Sequence, residues 1–223
     1  MPNGVTLREL ATPDVVDETL DNCPALHGEA INHHGAVFGC QDGVLLLEAH
    51  GDHFHGEKLD YPAGTPDDVR TGTLRGNHAL ETFVGNWEGG LVLIDPKTAP
   101  HFTPVPIPSP VLGFDIASHG ESLVVLTADG NLHRLSPTTG AALGAPIRVM
   151  DAFTVEPGHS QVRPSFTLGA ERVFVVDPRP TDVVEVHVED WEVERRIAVG
   201  GNPGSVTIFS ASPDFGEHHD HMH

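Results

Sequence analysis

The chain has 223 residues, 39% of them hydrophobic, enough for one large all-β domain or two small ones, and no apolar run nears the ~18 residues that a bilayer-crossing helix needs. Against 12 lysines and arginines stand 32 acidic residues, a net charge of −20 that repels nucleic-acid phosphates and anionic lipid and attracts cations. Nucleic acid is thereby excluded as a partner and membrane insertion is not expected; the sixteen histidines are the compositional outlier.

From the N-terminus, Met1-Pro2-Asn3-Gly4 lacks the basic-then-apolar pattern of a secretion signal, so either the chain is cytoplasmic or a leader lies outside the sequence given. Residues 5–10 read as a strand. Residues 13–20 alone have room for a helical turn or two, with Pro13 suited to a first helical position. Short β-branched runs follow at 36–40, 44–49, 91–94, 123–127, 173–176, 183–188, 195–199 and 206–209, punctuated by Gly, Asp, Asn and Pro. Asp42-Gly43 and Asp129-Gly130 each fall between two runs, a strong hairpin signal.

The runs recur in units of four strands, with first strands expected at 27–30, 77–80, 114–117 and 163–166. A spacing of about 35–50 residues with four strands per unit is the size of a propeller blade. The expected fold class is all-β: a β-propeller with four visible four-stranded blades within residues 1–209. Residues 5–10 would be the last strand of a preceding blade, and 200–209 the start of a fifth. Those loose ends either pair to close a ring or are edges of a larger one; a solenoid or a sandwich is the competing architecture. Residues 210–223 end in Gly216-Glu217-His218-His219-Asp220-His221-Met222-His223 and have almost nothing apolar to bury. They are expected to form a flexible His-rich tail, either merely solvated or a loose metal site.

Cys23 and Cys40 are the only cysteines, and two free thiols or one bridge are both open. Each sits at the edge of a predicted strand of the same unit, and the spacing matches no common zinc motif, which favours a disulfide and an oxidising compartment. With three Met besides, the chain has too few soft donors for a Cu(I) site.

His50-Gly51-Asp52-His53-Phe54-His55 places three imidazoles and a carboxylate within six residues. In an extended chain His53 and His55 share a face, and Gly51 permits a bend that brings His50 round to join them. Three imidazoles, with Asp52 or water in the fourth position, suit Zn²⁺; the bland alternative is a solvated loop. A second candidate set lies at the expected channel. There His27 and His78 take matching places at the start of neighbouring inner strands, and Asp115 and Arg163 take the comparable places in the next two. Glu29 or Glu81 would orient a histidine through its second nitrogen. His33, His34 and His119 rank behind these in adjoining loops. His101, His133, His159 and His187 stand alone and read as structural or surface residues.

Taken together, Cys23-Pro24-Ala25-Leu26-His27-Gly28-Glu29-Ala30, Phe38-Gly39-Cys40-Gln41-Asp42-Gly43-Val44-Leu45 and the segment from His50 to His55 resemble the periplasmic zinc metallochaperone AztD family over most of residues 20–209. The resemblance implies a β-propeller that binds Zn²⁺ and delivers it to the periplasmic zinc-binding protein of an ABC importer. It also implies a periplasmic address and a Cys23–Cys40 bridge. That family is longer, with a signal peptide and further blades, so the resemblance implies that the chain is similar to its C-terminal half.

Two other functions compete: a metal-dependent hydrolase whose open zinc position activates water, and a plain interaction propeller with incidental histidines. The sequence has no His-Glu-x-x-His, no Gly-x-Ser-x-Gly and no evident nucleophile with a partner base, so catalysis is not expected. Histidine and carboxylate sites with an open position exchange ligands, which suits transfer.

Overall fold

The computed structural model describes residues 3–9, 11–12, 16–51, 53–158, 161–169 and 171–208, and among them there are strands but no α-helix. Strands β1 (Val5–Arg8) and β2 (Val16–Leu20) pair antiparallel as a two-stranded sheet, Val5 opposite Leu20. The helical turn expected over 13–20 is thus corrected for its described part. A segment that short cannot nucleate a helix by itself, and β1 offers its backbone a ladder instead.

Four four-stranded antiparallel blades follow, each with its strands in chain order across the sheet. Blade one is β3 (Glu29–Ile31), β4 (Ala36–Gly39), β5 (Gly43–His50) and β6 (His53–Asp60). Blade two is β7 (Leu74–Arg75), β8 (Phe83–Trp87), β9 (Gly90–Ile94) and β10 (Phe102–Pro106). Blade three is β11 (Val111–Ile116), β12 (Leu123–Thr127), β13 (Asn131–Leu135) and β14 (Ile147–Arg148). Blade four is β15 (Ser165–Leu168), β16 (Arg172–Val176), β17 (Asp182–His187) and β18 (Glu192–Ala198). The all-β propeller architecture expected from the repeat is the one observed. The strand expected at 206 does not form over the described residues 200–208, and the tail at 210–223 lies outside the described residues.

The core sits between blades, not within any one of them. Along β9, Val92 and Ile94 pack with Phe83, Leu74 and Leu46 toward blade one, while Leu91 and Leu93 pack with Leu123, Val125 and Phe114 toward blade three. Along β12, Val124 and Leu126 turn the other way, onto Val173, Val175 and Val186 of blade four. Successive strand residues point to opposite faces, so a strand buried on both must be apolar at every position. That is why the middle strands read as unbroken hydrophobic runs.

The first strands line up side by side, β3 against β7 and β11 against β15. Neighbouring blades are also stitched at their first turns. Asn32, 3% exposed, donates through Nδ2 to the Leu80 carbonyl 3.1 Å away. Asn77 donates likewise to the carbonyls of Ala117 (3.0 Å) and Ser118 (3.1 Å). Each asparagine also accepts, through Oδ1, the backbone N–H two residues on, that of His34 or Ala79. Asn32→Ala leaves the Leu80 carbonyl and the His34 N–H short of a partner. It is expected to lower the unfolding free energy in urea by about 1–3 kcal/mol.

Candidate metal centre

Antiparallel succession puts the turns joining first to second strands, and third to fourth strands, at one end of every blade. That end collects His33, His34, His50, His53, His55, His78, His101, His119 and His187; of the described histidines only His27 and His133 lie elsewhere. Nine of the eleven described histidines thus share one rim of the propeller.

On this rim one cluster is closely drawn. Blade one supplies His33 and His34 from its β3–β4 turn, with ring centroids 3.8 Å apart. Blade two supplies Glu81 from its β7–β8 turn. His33 Nε2 lies 3.2 Å from Glu81 Oε1, and His34 Nε2 lies 2.5 Å from Glu81 Oε2. One ligand atom from each residue falls within 4.8 Å of the others, the one such group of three His, Cys, Asp or Glu side chains among the described residues. Zn²⁺ bonds of about 2.0–2.2 Å hold tetrahedral donors roughly 3.3 Å apart, so these three need little movement to take an ion and would leave a fourth position open. Lys97 Nζ also donates to Glu81 Oε2, at 3.2 Å. Its hydrogen bond and that from His34 hold the Glu81 carboxyl below its ordinary pKa, and the carboxylate is ionised at neutral pH.

The His50–His55 segment is the β5–β6 hairpin end, between the third and fourth strands of blade one. His50 pairs with His53 and Glu48 with His55, so all four side chains share a face. His50 is 6.1 Å from His53 and 6.3 Å from His55 between ring centroids, and its Nε2 is 3.8 Å from Glu48 Oε2. The three imidazoles are exposed, Glu48 is half-buried, and the rings stand farther apart than those of His33 and His34. Asp52 lies outside the described residues. Glu48 was not singled out from sequence, although its place two residues before His50 puts it on the same face of any strand there.

The register expected for His27 and His78 differs in the structure. His27 precedes β3 and donates through Nδ1 to the Gly72 carbonyl at 2.8 Å, at the end away from the rim. His78 follows β7, because the first strand of blade two is Leu74–Arg75 and residues 77–80 form the turn after it. The two histidines therefore stand at opposite ends of neighbouring inner strands. Asp115 lies in β11 with Oδ1 3.3 Å from Arg75 Nε. Burial raises its carboxyl above the ordinary value and Arg75 opposes that rise. Among the remaining histidines, His133 bonds through Nε2 to Thr127 Oγ1 at 3.1 Å, and burial lowers its pKa against the pull of Asp129. His159 lies outside the described residues.

Cys23 and Cys40 are bridged, both fully buried, with Cα atoms 4.9 Å apart. The disulfide is compatible with an oxidising compartment.

Blades of four antiparallel strands around adjoining first strands, with cores between blades, define the chain as a β-propeller; no family model matches it. The chain is similar to the zinc chaperone AztD of Citrobacter koseri, with 26% identity over 223 residues, 99% of this chain and 52% of that protein. The structure of apo AztD from Citrobacter koseri superposes with a TM-score of 0.76 at 25% identity, covering 91% of this chain and 54% of that one. The crystal structure of BamB from Moraxella catarrhalis, at 13% identity and a TM-score of 0.56 over 87% of this chain and 55% of that one, shares the fold alone. The resemblance to the AztD family, expected over most of residues 20–209, extends along 99% of the chain, which spans about half the length of the curated relative it matches.

Proposed function

We propose that this chain binds Zn²⁺ as cargo at His33, His34 and Glu81 and delivers it to the zinc-binding protein of an ABC importer in the periplasm. The observation that carries the reading is the pair of imidazole nitrogens converging on both oxygens of one carboxylate across a blade boundary. The similarity to a protein named zinc chaperone supports it. Three protein donors with a fourth position open allow an incoming ligand to bind before the resident ones let go, the route that exchange between proteins needs. Imidazole and carboxylate hold the ion less exclusively than a closed thiolate site would.

The hairpin residues Glu48, His50, His53 and His55, with Asp52 of the same segment as a further candidate donor, form a second, more widely spaced capture point on the same rim. His27, His78 and Asp115 are kept as supplementary donors in this proposal, His78 being the one that shares the rim. Nothing in the handling requires bond making in a substrate, so the role proposed is non-catalytic.

Zinc-edge anomalous scattering from crystals grown with stoichiometric Zn²⁺ tests the reading. The first equivalent is expected to give a peak between His33, His34 and Glu81. A peak elsewhere, or none at one equivalent, rejects this cluster as the cargo site.

A further inference from the structure

Only two lysines occur in the chain, Lys58 and Lys97, and one of them is placed against the cluster's carboxylate. Its loop is tied to put it there. Asp95 Oδ1 accepts the backbone N–H groups of Lys97 (2.9 Å) and Thr98 (3.0 Å). The Asp95 N–H donates to the His101 carbonyl at 2.9 Å, and His101 Nδ1 donates back to the Asp95 carbonyl at 2.8 Å. The β9–β10 loop is thus closed at its base, and Lys97 reaches from it to Glu81 of the same blade. There it bonds Oε2, the oxygen that also takes His34 Nε2.

We propose that Lys97 is a built-in competitor of the metal, whose ammonium takes the Glu81 carboxylate when zinc leaves and so weakens binding and speeds release. The proposal rests on the reading of His33, His34 and Glu81 as the cargo site. A protonated ammonium has three donors and no lone pair, so it cannot ligate zinc and can only contend with it for the carboxylate. An ion seated between the two Nε2 atoms and Glu81 would also face the Lys97 charge across a few ångströms, a repulsion that the empty site does not carry. Lys97 is half exposed on a flexible stem, so it swings to water on loading and returns on unloading. Without it, a carboxylate flanked by two imidazoles would stand ready for zinc alone. With it, the unloaded state has a partner for that charge. A cargo protein gains from this what a storage site would lose.

The test uses the full chain with Lys97→Met, which keeps the length of the stem and removes the charge, and Lys97→Arg, which keeps the charge. Zinc affinity is read by competition with a chromophoric chelator, and release by stopped-flow mixing with excess EDTA. Lys97→Met is expected to bind zinc about three- to tenfold tighter and release it slower by a similar factor, the upper part of the range for an exposed ion pair plus the lost repulsion. Lys97→Arg is expected to stay within about twofold of the parent. If Lys97→Met matches the parent in both affinity and release, the competitor role is overturned. A His33→Ala/His34→Ala control separates the two ideas. If that control still binds the first equivalent at parental affinity, the cargo site itself is misplaced, whatever Lys97→Met does.

Discussion

The double variant His33→Ala/His34→Ala is expected to bind its first zinc equivalent at least about 100-fold more weakly than the parent, with its thermal unfolding nearly unchanged. Loss of residues that merely support a metal's ligands typically costs 10- to 100-fold, and here two of three direct donors go. The fold is spared because both rings project from a turn at the rim, and the turn is held by Asn32 instead, which donates to Leu80 and accepts from the His34 backbone. His53→Ala/His55→Ala is expected to do less. The hairpin rings are some 6 Å apart between centroids and exposed, so closing them round an ion costs side-chain freedom that the tighter cluster has already given up. Chelator-competition titrations on both variants check the order, and a larger loss from the hairpin pair would reverse the assignment of first and second sites. The pH dependence follows from the same donors. Imidazole ligates only when neutral, so protons compete with zinc for the same nitrogens and parental affinity should fall on acidification. Glu81 adds to that fall only at lower pH. A carboxyl held below its ordinary pKa by Lys97 and His34 keeps its charge above the unfolded value and loses it only as pH drops further.

The blades were legible in the sequence where strands are buried on both faces, as at Leu123–Thr127, where every residue is buried and the apolar run and the strand coincide. First strands were harder. Leu74–Arg75 is two residues long and carries no period, whereas the neighbouring Asn77-His78-Ala79-Leu80, with its buried leucine, reads more like a strand than the turn it forms. That shift moved His78 to the wrong end of its blade relative to His27. The hairpin histidines were legible because a six-residue segment needs only local geometry to gather its side chains. The cluster at Glu81 was not, because His34 and Glu81 are 47 positions apart and meet only once two blades pack. A signal did exist. Asn-His occurs at Asn32-His33 and again at Asn77-His78, in turns that the structure shows to be equivalent and stitched to the next blade in the same way. Read as a repeat of the turn instead of the strand, it would have set both histidines on one rim.

Replacing the bridge by Cys23→Ala/Cys40→Ala is expected to cost about 3 kcal/mol in unfolding free energy while leaving zinc affinity within about threefold of the parent. The crosslink closes a loop of 17 residues, and loops of that size restrict the unfolded chain by roughly that amount. Its place in the fold decides where the loss is felt. Cys23 follows β2, Cys40 lies at the β4–β5 turn, and both pack with Leu45, Leu20 and Val5, the small core by which the two-stranded sheet sits on blade one. The Cys23 N–H reaches back to the Asn3 carbonyl, so the bridge also anchors the chain just before β1. Cys40 stands at the end of blade one away from the rim, on the face opposite Leu46 and Leu59, which pack toward blade two. Without the bridge, the β1–β2 sheet keeps one ladder and a few apolar contacts, and should open locally before the blades do. Hydrogen exchange would show this as amides of Val5–Arg8 and Val16–Leu20 exchanging well ahead of those in β8 and β9. Simultaneous loss of protection across blades one and two would mean instead that the disulfide supports the inter-blade core directly. In that case the His33–His34–Glu81 geometry, which depends on the same blade boundary, should loosen with it and zinc affinity should fall in parallel.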